Sequence, residues 1–440
     1  WMILILGWVF VPFYTRSMVY TMPEFLERRY NPQSRTILSV ISLVSYVLTK
    51  VAVTVYAGGL VFQQVFGIKE LWGIDFFWIA AIGLVVLTAL YTIFGGMKSV
   101  LYTSVLQTPI LLLGSLIILV LGFKELGGWD EMMRVCGAVT VNDYGDTMTN
   151  LIRSNDDANF PWLGALIGSA IIGFWYWCTD QFIVQRVLSG KNEMEARRGT
   201  IFGAYLKLLP VFLFLIPGMI AFALHQKYIG AGGEGFLPML ANGTANADAA
   251  FPTLVAKLLP AGVKGLVVCG ILAALMSSLA SLFNSSAMLF TIDFYKRFKP
   301  ETPEKKLVGI GQIATVVIVI LGILWIPIMR SVGDVLYTYL QDVQSVLAPG
   351  IAAAFLLGIC WKRTSAQGGM WGLISGMVIG LTRLGAKVYY SNAGEVADST
   401  FKYLFYDMNW LFFCGWMFLF CIIVVIVVSL ATEAPTAEKI

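Results

Sequence analysis

The residues with chemical capacity in this chain of 440 amino acids lie mostly inside apolar runs. In "GFWYWCTDQFIVQRVLSGKN", residues 173–192, Tyr176 and Trp177 stand side by side and Asp180 follows one helical turn later. Aromatic faces of this kind stack on the C–H surface of a sugar ring. A carboxylate at such depth needs a cation or a solvated path. Lys207 in "GAYLKLLPVF" offers donors, and Gln341 in "YLQDVQ" offers donors and an acceptor, both suited to hydroxyl groups. Ser277 and Ser278 in "ILAALMSSLASLFNSS" supply adjacent hydroxyls. With helix carbonyls these make the hard oxygen set that a small cation requires. Each group also has a plainer reading: Lys207 can extend to the inner surface, small residues let helices pack closely, Trp175 and Trp177 can be packing aromatics, Gln341 can bond between helices, and Asp180 can pair with a nearby cation as structural glue.

The elements that must hold these groups are membrane spans. The chain is 58% hydrophobic and only 13% charged, against roughly 25% charged in soluble domains. Eleven apolar segments are expected, at 1–14, 35–66, 74–94, 99–123, 161–186, 199–225, 253–292, 307–328, 334–360, 366–387 and 409–431. Lys and Arg gather in alternate connections, among them Arg28, Arg29, Arg35, Lys98, Arg197, Arg198, Lys296, Arg297, Lys362 and Arg363. Those connections are therefore cytoplasmic, residue 1 begins on the outer side and the C-terminus is cytoplasmic. The loops 124–160 and 226–252 are external, and "NGT" at Asn242 is either a glycosylation acceptor or a bare polar loop. At about 1.5 Å per residue, Tyr176 and Ser277 lie roughly 22 Å, Lys207 roughly 18 Å and Gln341 roughly 10 Å below the outer surface. Polar groups from four spans in one band suggest a shared aqueous cavity.

The net charge of +4 comes from short loops and says nothing of nucleic acid. The six cysteines show neither disulfide framework nor metal spacing, and the single histidine, His225, sits at a span edge. No enzyme is expected, because a serine hydrolase at Ser277 would lack a histidine base. The chain opens inside the apolar run "WMILILGWVFVPFY", which reads as a fragment lacking its true N-terminus and at least one span.

Beyond these residues, "VYTMPEFLERRY", "LYTIFGGMKSVLYT", "WYWCTDQFIVQR", "SSLASLFNSSAMLFTIDFYKR" and "YLQDVQSVLAPGIAAAFLLGICW" together resemble the sodium/solute symporter family, in its sodium–glucose branch of sugar and inositol cotransporters. The resemblance implies an all-α polytopic fold with a LeuT-like core of two five-helix inverted repeats. Residues 1–123 would be the first repeat without its opening helix, 124–160 an external loop, 161–360 the second repeat, and 361–440 accessory helices and a cytoplasmic tail. It further implies a sodium site from the Ala274 carbonyl and the Ser277 and Ser278 hydroxyls. Tyr176 resembles an inner gate under the sugar, with Trp177 beside it, and Lys207 and Gln341 resemble hydroxyl-binding residues. The missing helix would carry further carbonyls and an acidic sugar ligand. Two departures stand out: Gly173 lies three positions before the gate tyrosine where a polar residue is usual, and Ser104 in "YTSVLQ" replaces an expected carboxylate. The implied function is sodium-driven symport of a hexose, inositol or related solute across the plasma membrane (the inner membrane in a bacterium), with one sodium per substrate. Two alternatives stay open: symport of another small solute, and a transporter-like sensor, which requires a signalling domain beyond the last span.

Overall fold

The computed structural model describes the chain except residues 18, 20, 241, 242, 333, 334, 393–397 and 437–440; for 91, 93–100, 103 and 330–332 it describes the backbone alone. Asn242 of the "NGT" sequence therefore lies outside the described residues. The fold is all-α apart from one two-stranded ribbon, Glu70–Leu71 with Ile74–Asp75. Each of the eleven expected segments falls on helix. Among the described residues, eight helices are long and apolar enough to cross a membrane, or nine if the bent pair Met2–Ser17 and Met22–Arg29 is one span. Two others miss that standard for visible reasons. Phe76–Leu90 is a short apolar stretch, and Ala366–Asn392 is diluted by glycines, Arg383 and Lys387.

Several expected spans are reshaped. Segments 74–94 and 99–123 belong to one helical run, Phe76–Leu126, so the connection around Lys98 is helical and not a loop. That run carries two separate apolar stretches, Phe76–Leu90 and Ser104–Leu126. Segment 253–292 is divided before Pro260 into Ala250–Leu258 and a helix starting at Ala261. Segment 199–225 is interrupted at Lys207 and Leu208. Pro210 accounts for this: a proline ring clashes with the carbonyl four residues earlier, and the preceding helix ends at that residue, Leu206.

The chain forms two compact units, each assembled from separated stretches. The first comprises residues 1–51, 158–204 and 285–440. Its helices Leu336–Cys360 and Ala366–Asn392 run antiparallel with backbones touching. A Cβ on Gly376 would lie 2.7 Å from the Gly350 Cα, and one on Gly380 would lie 2.3 Å from the Val346 carbonyl oxygen. Trp410–Ala431 meets the same glycine stripe of Ala366–Asn392, with Gly368 against Ser429 and Gly372 against Val425. In lipid, where apolar contact alone gives little preference between helix partners, such small-residue seams let dispersion forces act at close range.

The second unit comprises residues 52–157 and 205–284. Its core gathers Ile118, Ile220, Leu224, Leu254 and Val267. Here Gly114 faces Val267 and Gly270 faces Ile110, so Ser104–Leu126 and Ala261–Met288 are antiparallel at close range.

Candidate functional site

The span that carries Tyr176 is broken. Trp162–Phe174 is regular helix, Trp175–Thr179 is a π-helical turn, and Asp180 is extended (φ −80°, ψ 124°) before a new helix, Gln181–Leu188. π-Turns widen the ladder by one residue and recur at functional positions. Interruption frees backbone groups that must find partners in a water-poor setting. The Tyr14 hydroxyl donates to the Cys178 carbonyl (2.7 Å), and the Thr179 hydroxyl donates to that of Trp175 (2.9 Å). Asp180 caps the second half, accepting the Phe182 N–H at 3.0 Å. Next to the break, the rings of Tyr176 and Trp177 meet edge to face at 5.0 Å between centroids, and both are half-buried.

Asp180 is buried and ion-paired with Lys50, and it also accepts the Tyr46 hydroxyl at 2.9 Å. The cation partner for Asp180 considered from sequence is therefore Lys50, 130 positions away in the chain. Lys50 sits on a second π-turn, Tyr46–Val51. There the Tyr339 hydroxyl donates to the Leu48 carbonyl (3.0 Å) while accepting the Trp325 indole N–H (2.6 Å). The Lys50 ammonium lies over three rings: Phe182 at 4.3 Å, Tyr46 at 4.7 Å and Tyr176 at 5.2 Å. Sequence reasoning passed over Lys50, although a lysine inside the apolar segment 35–66 carries the same signal as Asp180.

Gln341 is half-buried in the same unit and donates to the Tyr337 hydroxyl one turn earlier (2.9 Å). Its neighbour Asp342 is buried, paired with Lys387 and 3.7 Å from Arg383. Arg383 is fully buried, donates to the Met408 carbonyl at 2.7 Å and lies 4.0 Å from the Phe413 ring centroid. This charge cluster was also not singled out from sequence.

The expected sodium ligands lie in the second unit. Ser277 is buried, and its hydroxyl is 2.7 Å from that of Ser104, the residue standing in place of the expected carboxylate. The antiparallel seam explains the pairing, since Gly114 opposite Val267 brings residue 104 opposite 277, ten residues along each helix. Ser278 and Ala274 are half-buried on the same helix. Hydroxyls and carbonyls are the hard oxygen donors an alkali cation takes, and among the described residues no cluster of three His, Cys, Asp or Glu side chains offers a competing metal site. Lys207 belongs to this unit as well, where it is exposed on the turn that interrupts its span and is not in a continuous helix. The structure thus joins Tyr176 with Trp177 in one unit and Ser277 with Ser104 in the other. His225 has a structural task, accepting the Leu237 N–H on Nδ1 at 3.0 Å. All six cysteines are free.

Comparison with known proteins extends this picture. The family model described as "Sodium:solute symporter family" matches residues 1–376. The human sodium/myo-inositol cotransporter 2 is 35% identical over all of this chain and 66% of its own length. The sheep sodium/glucose cotransporter 1 is 37% identical over 99% of this chain and 67% of its own. The bovine sodium/mannose cotransporter SLC5A10 is 37% identical over all of this chain and 74% of its own. The chain thus spans about two thirds of the length of most of these relatives. A solved structure of a Na+-coupled sialic acid symporter, in a substrate-bound outward-open state, matches with a TM-score of 0.73 at 21% identity, covering 99% of this chain and 83% of that one. It shows the shared fold, the LeuT-like architecture expected from sequence.

Proposed function

The chain belongs to the sodium:solute symporter family, and on that premise we propose that it carries a hexose, inositol or related polyol across a membrane, driven by sodium. The observation that carries this reading is the similarity along the whole chain to cotransporters of glucose, mannose and myo-inositol. The geometry supports it. Tyr176 and Trp177 form an aromatic floor where a span breaks, the kind of discontinuity at which LeuT-like carriers hold their substrates. By the family resemblance, Gln341 and Lys207 are assigned to sugar hydroxyls, and the Ala274 carbonyl with the Ser277 and Ser278 hydroxyls to sodium. Exchange between outward- and inward-facing states then moves both solutes. One sodium accompanies each substrate, because Ser104 supplies a neutral hydroxyl beside Ser277 where a second ion would need a carboxylate. Residues 1–123 and 161–360 act as the two inverted repeats, 124–160 as an external loop and 361–440 as accessory helices and tail. The protein is a multi-pass carrier of the plasma membrane, or of the inner membrane in a bacterium, with its C-terminus in the cytoplasm.

Proteoliposomes of the full-length protein test this reading. Labelled glucose, mannose and myo-inositol are offered with and without an inward sodium gradient. Uptake of at least one that collapses without the gradient is expected. Sodium-driven uptake of an amino acid or carboxylate, with none of a sugar or polyol, refutes the substrate class.

A further inference from the structure

We propose that Lys50 and Asp180 are positioning residues for the substrate floor, and that the Lys50 ammonium fixes the ring of Tyr176 in its binding orientation. The inference rests on the sugar reading of Tyr176 above. It starts from a juxtaposition in the first unit. The ammonium of Lys50 is enclosed by the faces of Phe182, Tyr46 and Tyr176, with Asp180 as its counterion. The Tyr176 ring thus has the Lys50 ammonium over its face, besides edge-to-face contacts with its chain neighbours Trp175 and Trp177. Desolvated ammonium groups over aromatic faces attract more strongly than exposed ones.

Two parts of this cage are pinned by hydrogen bonds. Asp180 is held by the Tyr46 hydroxyl and the Phe182 N–H. The turn bearing Lys50 is held through Tyr339 and Trp325. A ring placed by contacts from that many elements keeps one orientation, and a ring so held offers a stacking face without ordering on binding. The pair also joins the two halves of the broken span: Asp180 begins the half Gln181–Leu188, and Tyr176 lies on the π-turn ending the other. An alternative in which the pair merely stabilises the fold predicts no special relation to Tyr176.

A double-mutant cycle on the full-length protein separates these. Lys50→Met with Asp180→Asn removes both charges together, which avoids a lone buried ion. The amide oxygen of the Asp180→Asn side chain still accepts from Tyr46 and Phe182, so the break is kept. Sugar KM is expected to rise roughly tenfold with little change in maximal rate. In a Tyr176→Ala background the same pair of substitutions is expected to shift KM less than about twofold, because the ring on which the pair acts is gone. Equal shifts in both backgrounds overturn the proposal. Lys50→Arg keeps the ion pair and a cation over the rings and serves if the double variant fails to reach the membrane. It is expected to retain KM within about threefold, and a tenfold loss, as large as the pair removal predicts, overturns the proposal. Absence of any sugar uptake by the unsubstituted protein refutes the sugar reading instead, so the two failures are distinct.

Discussion

Asp342 offers a stability test whose size follows from the helix seam. Gly350 against Gly376 and Val346 against Gly380 set an antiparallel register that carries residue 342 to the level of residue 384. Arg383 and Lys387 flank that level, and both reach the Asp342 carboxylate. Asp342→Asn leaves two cations without a counterion inside the helix layer. Removing one partner of a buried pair costs about 3–5 kcal/mol. The lower end applies here. The Lys387 side chain is 20% exposed and can turn outward, and Arg383 keeps the carbonyls of Met408 and Leu404. At about 1–2 °C per kcal/mol for a chain of this size, a loss near 3 kcal/mol lowers the melting temperature by roughly 3–6 °C. A thiol-reactive dye reads the transition in detergent. Cys136, Cys178, Cys414 and Cys421 are buried and react on unfolding, while Cys269 and Cys360 are exposed and set the baseline. Adding Lys387→Met to Asp342→Asn removes the more mobile uncompensated charge and restores at least half the loss. A shift under about 2 °C for Asp342→Asn, or no recovery in the double variant, refutes the assignment of this cluster as a counter-charged tie between the two helices.

Three further outcomes are expected. Tyr176→Ala raises sugar KM by tenfold or more while Tyr176→Phe stays within about threefold, because stacking uses the ring and not the hydroxyl; equal losses in uptake assays for both would assign the role to the hydroxyl. Reversal potentials measured while sodium and sugar gradients are varied give one sodium per substrate, and Ser277→Ala with Ser278→Ala abolishes coupling; a ratio of two, or full coupled uptake without those hydroxyls, contradicts the ion site proposed beside Ser104. Gly376→Val drives a side chain into the Gly350 backbone, where a Cβ alone would sit at 2.7 Å, so the helices must separate and melting falls by several degrees, whereas Gly385→Ala, with open space around its Cα, leaves it unchanged.

Composition and hydropathy alone determine that this is an all-α membrane protein, since eleven apolar runs admit few other solutions to satisfying the backbone in lipid. The family signal was likewise legible, because it lies in contiguous stretches such as "WYWCTDQFIVQR". Even the break at Asp180 had a local cue, a cap-forming aspartate after a threonine within an apolar run. The interruption at Lys207 had one too, in Pro210. What sequence could not decide was pairing. Lys50 and Asp180, Asp342 and Lys387, and Ser104 and Ser277 are 130, 45 and 173 positions apart. Each residue announces only that it needs a partner, because an ion or hydroxyl in a span is costly alone. Which partner it finds depends on how the helices pack: for Asp342 and Ser277 the register is set where glycines let two helices approach closely, and for Asp180 by the broken span and the π-turn that carries Lys50. Those contacts exist only once the helices are packed, so the partners of Asp180, Asp342 and Ser277 are properties of the tertiary structure.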